Sequence, residues 1–270
     1  MTNIVIITSN GIRHKYFSTM FSNSKNINVK KIYKEYDSDY RKNIDVLSDF
    51  EIEHYKAREQ TEYDFFSDII HQFNNQNKLN EVSINDINNE KYLSELKEIN
   101  PDFIITYGCS IVKKDILEAF KDKILNVHLG ISPYYLGSGT NFISLLNNDF
   151  QCVGYTLMYM DSGIDTGEII HQSRAKIFQF DNIHQIGNRL IKDMTSDFIY
   201  LVNNFHLVKK MSYPDIQHES IICLNKHVTV DAVKKIYKSF SDGGVENFLK
   251  KQEKINKLYP IIQQEFMSKK

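Results

Sequence analysis

Asn126 and His128 stand two positions apart, and Asp165 follows 37 residues after His128 within Asp161-Ser162-Gly163-Ile164-Asp165-Thr166-Gly167. An amide, an imidazole and a carboxylate are the groups needed to pass a one-carbon acyl unit to an amine. The developing oxyanion needs donors already in place, and the attacking ammonium must lose a proton. An Asn amide donates without titrating. Two residues along a strand, an imidazole projects to the same face as that amide. Protonated, it stabilises an oxyanion; neutral, it exchanges protons. A nearby carboxylate sets the ring's tautomer and relays the substrate proton through water. Taken singly, each residue has a plainer reading: His128 as a satisfied histidine at a strand end, Asp165 as a turn residue, Asn126 as the cap of a bend.

The elements that must hold these groups are legible in the hydrophobic pattern. Ile4 to Thr8 is a β-branched run that stops at Ser9-Asn10-Gly11, and Ile12 to Phe21 has apolar residues at positions 12, 16, 17, 20 and 21. Strand, glycine turn and helix open a βαβ unit. Asn28 to Tyr33, Phe103 to Tyr107 and Ile124 to Val127 read as further strands, and Lys91 to Ile99 and Val112 to Phe120 as helices. This alternation predicts an α/β fold, a Rossmann-like, mostly parallel sheet with helices on both faces. Val153 to Met160 continues as a strand with Glu168 to Gln172 paired to it, and Ile183 to Val202 is a long amphipathic helix. Residues 37 to 78 form a polar-aromatic stretch of helical texture, longer than a crossover requires and closed by an Asn74-Asn75-Gln76-Asn77 loop.

Beyond Pro214 the character changes. Ser220 to Leu224 reads as a strand, Thr229 as the N-cap of a helix that stops at Asp242-Gly243-Gly244, and Val245 to Met267 as a helical stretch broken near Pro260. The expected organisation is a catalytic domain over residues 1–205 and a small, mainly helical C-terminal appendage over 215–270.

Composition narrows the class. A formal net charge of −1 over 270 residues does not mark the whole molecule as a polyanion binder. Three scattered cysteines (Cys109, Cys152, Cys223) without a CxxC pair read as reduced thiols. The N-terminus lacks the basic and apolar regions of a signal peptide, and no run approaches the ~20 apolar residues of a membrane span. A soluble, cytoplasmic protein that binds no membrane and no metal is expected.

Asn126-Val127-His128, then Ser132-Pro133-Tyr134-Tyr135-Leu136-Gly137, then Asp161 through Gly167 resembles the folate-dependent formyltransferase family. That family's signature is Asn-x-His, a Pro-x-Tyr/Trp-x-Gly loop and Asp-x-Gly-x-Asp-x-Gly about forty residues on. The resemblance spans about residues 1 to 205. It implies 10-formyltetrahydrofolate as formyl donor and Asn126, His128 and Asp165 as catalytic residues, with Asp161 left to shape the loop. It also implies a folate pocket at Tyr107, Gly108, Ile111, Val112 and Lys113. Gly139, Thr140 and Asn141 would form part of the pocket wall beside Tyr135; alternatively this is a glycine-rich connection with Thr140 as a helix cap.

The acceptor is less directly written. The first loop meets a helix N-terminus, where Asn10, Arg13 and His14 are candidate contacts for a substrate phosphate. This loop lacks the Gly-Asn-Gly-Ser-Asn-type cradle of the family's purine enzymes. His128 is followed by Leu129-Gly130-Ile131-Ser132-Pro133, where the purine and tRNA enzymes typically have Pro-Ser-Leu-Leu-Pro. The run from Leu129 to Phe142 most resembles bacterial nucleotide-sugar N-formyltransferases, which implies a nucleotide-linked amino-sugar in surface-polysaccharide synthesis.

Methionyl-tRNA formyltransferase is the alternative, but that enzyme carries a C-terminal β-barrel, and nucleic acid is not the expected partner. Residues 220–270 do hold ten lysines against five acids, which suits a solvated or interface helix face as well as nucleic acid. The helical tail is also a candidate homodimer element. A non-catalytic folate-binding protein and a water-accepting deformylase are the other classes this constellation allows.

Overall fold

A computed structural model describes residues 1–36, 48–72, 78–213, 216 and 218–269. Contacts divide the chain into two compact units, one of residues 1–127 with 195–205 and one of residues 128–194 with 206–270. The chain thus leaves the first unit at 127, returns at 195 and leaves again after 205.

The first unit is the βαβ succession. Its strands are β1 (Thr2–Ser9), β2 (Ile27–Tyr36), β3 (Leu79–Ser83), β4 (Phe103–Tyr107) and β5 (Ile124–His128), and its helices are α1 (Ile12–Ser22), α2 (Asp49–Ile70), α3 (Glu90–Ile99) and α4 (Lys114–Ala119). The strands lie in the order β3-β2-β1-β4-β5, parallel at every pairing. Ile4, Val5, Ile6 and Ile7 of β1 have no exposed surface, as a strand covered on both faces requires. The winding reverses between β1 and β4, and Thr8 pairs with Tyr107 at their carboxyl ends. Open α/β sheets bind ligands beyond the strand ends at such a switch point.

Sequence periodicity misplaced two features here and anticipated a third, the helical texture of residues 37–78. The strand β3 was not expected. Helix α4 starts at Lys114 rather than Val112, because Val112 and Lys113 belong to the loop that leaves β4. Much of the 37–78 stretch is helix α2, started by a capping box in which Ser48 and Glu51 satisfy each other's backbone N–H. Residues 37–47 and 73–77, including the expected Asn-rich loop, lie outside the described residues.

Residues 195–205, the end of the long helix Ile183–Asn203 and the turn after it, complete this unit's core. Phe198 is fully buried and meets Phe21 edge-on at 5.6 Å and Phe17 at 6.2 Å. Phe205 packs on Phe103 at 4.4 Å. Phe198→Ala removes a whole ring from this cluster and is expected to cost about 3–5 kcal/mol of stability, readable as a lower denaturation midpoint.

The second unit holds β6 (Tyr135–Gly137), α5 (Thr140–Leu146), β7 (Gly154–Tyr159), β8 (Ile169–Arg174), most of α6 (Ile183–Asn203), β9 (Ile221–Cys223), α7 (Val230–Ser241), α8 (Gly244–Leu249) and α9 (Gln252–Leu258). The expected β7–β8 pairing is present and antiparallel. Strand β9 pairs in parallel with β6, a strand the sequence pattern did not announce. Thr229 caps α7 as expected, accepting from the Ala232 N–H. The following helix breaks at Lys250–Lys251, well before Pro260, so α8 and α9 are two short helices.

The C-terminal segment is stitched to β8. Gln172 exchanges hydrogen bonds with both backbone groups of Ile262, Gln264 N–H donates to His171 Nδ1, and Arg174 donates to the Tyr259 carbonyl. Among the described residues, no helix is long and apolar enough to cross a membrane.

Candidate active site

In the second unit the imidazole meets the carboxylate. His128, the last residue of β5, is 5% exposed, and its Nδ1 lies 3.1 Å from Asp165 Oδ2. The same oxygen accepts from the Gly137 N–H at 2.8 Å. Asp165 has φ +54°, a left-handed conformation that Asp tolerates better than most side chains. Burial works against its charge, but the hydrogen bond and charge of His128, with the Gly137 N–H, outweigh it and hold its pKa below the ordinary carboxylate value.

The other ring nitrogen, Nε2, is 3.0 Å from the Tyr135 carbonyl. Both neighbours of the ring are acceptors. A neutral imidazole donates one hydrogen, so only the imidazolium satisfies both. Asp161, in contrast, shapes its own loop by accepting from Gly163 N–H and the Thr166 hydroxyl.

Asn126 precedes His128 by two residues on β5, so their side chains share a strand face. Its Oδ1 accepts from the Thr106 hydroxyl at 2.7 Å, which leaves the NH₂ as the end open to a partner. Thr106 has no exposed surface, and its role was not foreseen from the sequence. The available signal was a polar residue in the apolar run of β4.

At the switch point, the loop after β4 is held from below. Glu35, 3% exposed, accepts from Ser110 N–H (2.5 Å), the Ser110 hydroxyl (2.6 Å) and Asn85 N–H (3.2 Å). Asn88 donates to the Ile111 carbonyl and accepts from the Lys113 N–H. These ties fix residues 110–113 while Ile111 stands 77% exposed, an apolar side chain without cover. Gly108 has φ +59°, and a Cβ there would come within 2.5 Å of His14 Cε1. Val112 is buried, and so is the Tyr107 ring, which packs on Phe17 and His14; burial raises its phenol to about 12. Tyr107 therefore contributes backbone to this loop, not an accessible hydroxyl. Glu35 was missed by sequence reasoning, although an acid two residues after the inward-facing Tyr33 on one strand is a readable signal.

Several residues expected at the substrate are engaged in the scaffold. His14 is buried and its Nδ1 lies 3.0 Å from Thr8 Oγ1, whose own hydrogen goes to the Tyr107 carbonyl. His14 must then donate through Nδ1 and accept through Nε2, where Arg13 Nε donates. Burial, and next the Arg13 charge, lower its pKa well below the usual value. His14 is a neutral strut with no charge to offer an anion. Asn10 is exposed and Arg13 half-buried.

Tyr135 is buried and its hydroxyl donates to Asp149. Asn141 holds both backbone groups of Gly154. Thr140 does not cap its helix: Gly139, at φ +71°, is the N-cap, and the Thr140 hydroxyl donates to the Leu129 carbonyl. No group of three or more His, Cys, Asp or Glu among the described residues could hold a metal ion.

A Rossmann-like parallel sheet with an imidazole–carboxylate pair at the end of its β5 strand defines a class of α/β protein suited to proton-coupled group transfer. Residues 23–201 match the family model described as formyl transferase, and the chain belongs to that family. It is 35% identical over 126 residues to a methionyl-tRNA formyltransferase of Finegoldia magna, covering 43% of this chain and 40% of that protein. The chain thus spans well under half the length of that relative. Among solved structures, phosphoribosylglycinamide formyltransferase of Streptococcus pneumoniae aligns with TM-score 0.52 at 18% identity, covering 76% of this chain and 99% of that one. A sugar N-formyltransferase from a Shewanella species aligns with TM-score 0.53 at 15% identity, covering 87% of each. At such identities these structures share the fold.

Proposed function

We propose that this protein is an N-formyltransferase that moves the formyl group of 10-formyltetrahydrofolate onto the amine of a nucleotide-linked amino-sugar, in cytoplasmic synthesis of a surface polysaccharide. The observation that carries the reading is the His128–Asp165 pair at the end of the strand that also bears Asn126. Bound folate supplies the activated formyl carbon. The Asn126 NH₂ polarises its oxygen and stabilises the oxyanion as the amine adds and the bond to the folate nitrogen breaks. His128, both of whose ring nitrogens are held by Asp165 and the Tyr135 carbonyl, acts through its charge. Asp165 holds the ring and takes up the ammonium proton through water. Residues 1–205 are the catalytic domain in this reading, and residues 215–270 an appendage that serves as the homodimer element.

Residues 107–113 suit the flat edge of a pterin, because ties to Glu35 and Asn88 hold their backbone in place beside the uncovered Ile111. Arg13, next to the first helix N-terminus, remains the candidate cation for a substrate diphosphate. The amino-sugar acceptor is supported by the run Leu129 to Phe142 and by an alignment that covers 87% of a sugar N-formyltransferase. Transfer to methionyl-tRNA is the second reading, favoured by the names of curated relatives.

The deciding experiment incubates the full chain with 10-formyltetrahydrofolate, a panel of amino-sugar nucleotides and, separately, charged initiator tRNA. A gain of one formyl mass on a sugar is expected. Transfer to methionyl-tRNA alone would reverse the choice of acceptor. In the same assay Glu35→Ala, which releases the loop at Ser110, is expected to raise KM for the formyl donor about tenfold, because loop order is then achieved only on binding. Its kcat should change less than about twofold, and Glu35→Gln, which keeps an acceptor oxygen, should recover most of the loss.

A further inference from the structure

The basic tail has no part in the reaction just described, yet its lysines are not spread evenly. Helix α7, the start of α8 and the residues after α8 line, with the loop before Phe150, an open cavity of about 560 Å³. This lies within the range of small-molecule sites. Its wall carries Lys235, Lys238 and Lys251 against a single acid, Asp242. None of these three ammonium groups makes an ion pair among the described residues. Three cations facing one concavity repel one another, and an anion that fills it relieves that repulsion.

The rest of the lining is suited to the same task. Asn148 is held at φ +59°, and its Oδ1 accepts from the Ser239 hydroxyl, so its NH₂ is the end left to donate. Beneath lies a rigid floor, Phe150 stacked on Phe248 at 5.3 Å and 25°. Ammonium groups act as point charges toward phosphate oxygens. Three of them against one carboxylate leave two positive charges in excess, which suits a doubly charged phosphate group better than a single carboxylate.

We infer that this cavity is a binding site for the phosphate group of a small molecule, lined by none of the residues placed in the formyl-transfer site. The site takes phosphate oxygens as its common element, whether they come as inorganic pyrophosphate or as part of a nucleoside diphosphate. An RNA would instead need a basic stripe that runs beyond the concavity.

The test titrates the full-length protein with inorganic pyrophosphate and with uridine diphosphate by calorimetry at low salt. The comparison variant is Lys235→Gln/Lys238→Gln/Lys251→Gln; all three lysines are exposed, so it keeps the wild-type melting temperature. Pyrophosphate affinity should fall at least ~10-fold in that variant. It should stay unchanged in Lys254→Gln/Lys257→Gln, which removes charge from the same tail outside the cavity. Asp242→Asn should tighten binding, because it removes the opposing charge.

Equal affinity for pyrophosphate and uridine diphosphate assigns recognition to the phosphates alone, and tighter binding of the nucleotide adds the floor. Equal weakening in the two lysine variants would reduce the effect to net charge and overturn the site. So would an absence of pyrophosphate binding, or salt-steep binding of a 20-mer RNA that the triple variant alone abolishes.

Discussion

Asp165→Asn is expected to lower formyl-transfer turnover by at least ~10² while the protein stays folded. The substitution keeps the shape and an oxygen for the Gly137 N–H, but removes the charge 3.1 Å from His128 Nδ1. The imidazolium then loses its counter-charge, and the ammonium proton loses its destination. Asn126→Ala and His128→Ala should show losses of similar size, and because the three act as a unit their effects should not multiply. Near-normal turnover in Asp165→Asn would remove the carboxylate from the chemistry.

A second readout is independent of substrate. Asp165 binds its proton less readily in the folded protein than an ordinary Asp does. Its ionised form therefore favours the fold above the unfolded value of about 4, and that contribution is lost as pH falls through the lower folded value. Wild type should consequently lose more stability on acidification from about pH 5 to about pH 2.5 than the Asn variant does.

Gly130→Ala is expected to cost about 10² in turnover for a single methyl group. Gly130 has no unusual φ, so the constraint is space: an added Cβ would lie 2.5 Å from His128 Nε2, 2.5 Å from Thr140 Oγ1 and 2.9 Å from Thr140 Cβ. Thr140 is tied to the Leu129 carbonyl and cannot retreat freely, so the imidazole must turn. A turned ring opens its contact with Asp165. Overpacking at a buried position should also cost about 1–3 kcal/mol of stability. Thr140→Ala added to Gly130→Ala should restore part of that stability but little turnover, because the contact with Nε2 persists. Full turnover in Gly130→Ala would show that the ring position is not critical. Here the chain departs from the Pro-Ser that follows the signature His in the purine and tRNA enzymes, and the departure has a local cause: this backbone approaches the ring too closely for any side chain.

The parallel sheet was legible because its strands are short β-branched runs broken by Gly, Pro and Asn, the pattern that burial on two faces demands. The strands β3 and β6 were not legible. Leu79–Ser83 has one buried residue, Val82, and Tyr135–Gly137 is held by partners far away in the chain. Chain proximity likewise showed Asn126 and His128, whereas Thr106, Glu35 and Gly130 act through spatial neighbours that no local pattern encodes. His14 misled for the opposite reason. A histidine beside an arginine at a helix start suggests an anion site, but the loop after β4 comes down on its ring, and burial removes the charge.

The chain's route has a consequence for how the molecule is made. The first unit takes residues 195–205 as well as 1–127, and Phe198 and Phe205 close its core. As the chain emerges from the ribosome, residues 1–127 must wait for some seventy more before Phe198 closes over Phe17 and Phe21 and Phe205 covers Phe103. Assembly therefore cannot run strictly from the N-terminus, and a fragment cut near 127 would expose apolar rings and require a chaperone or aggregate.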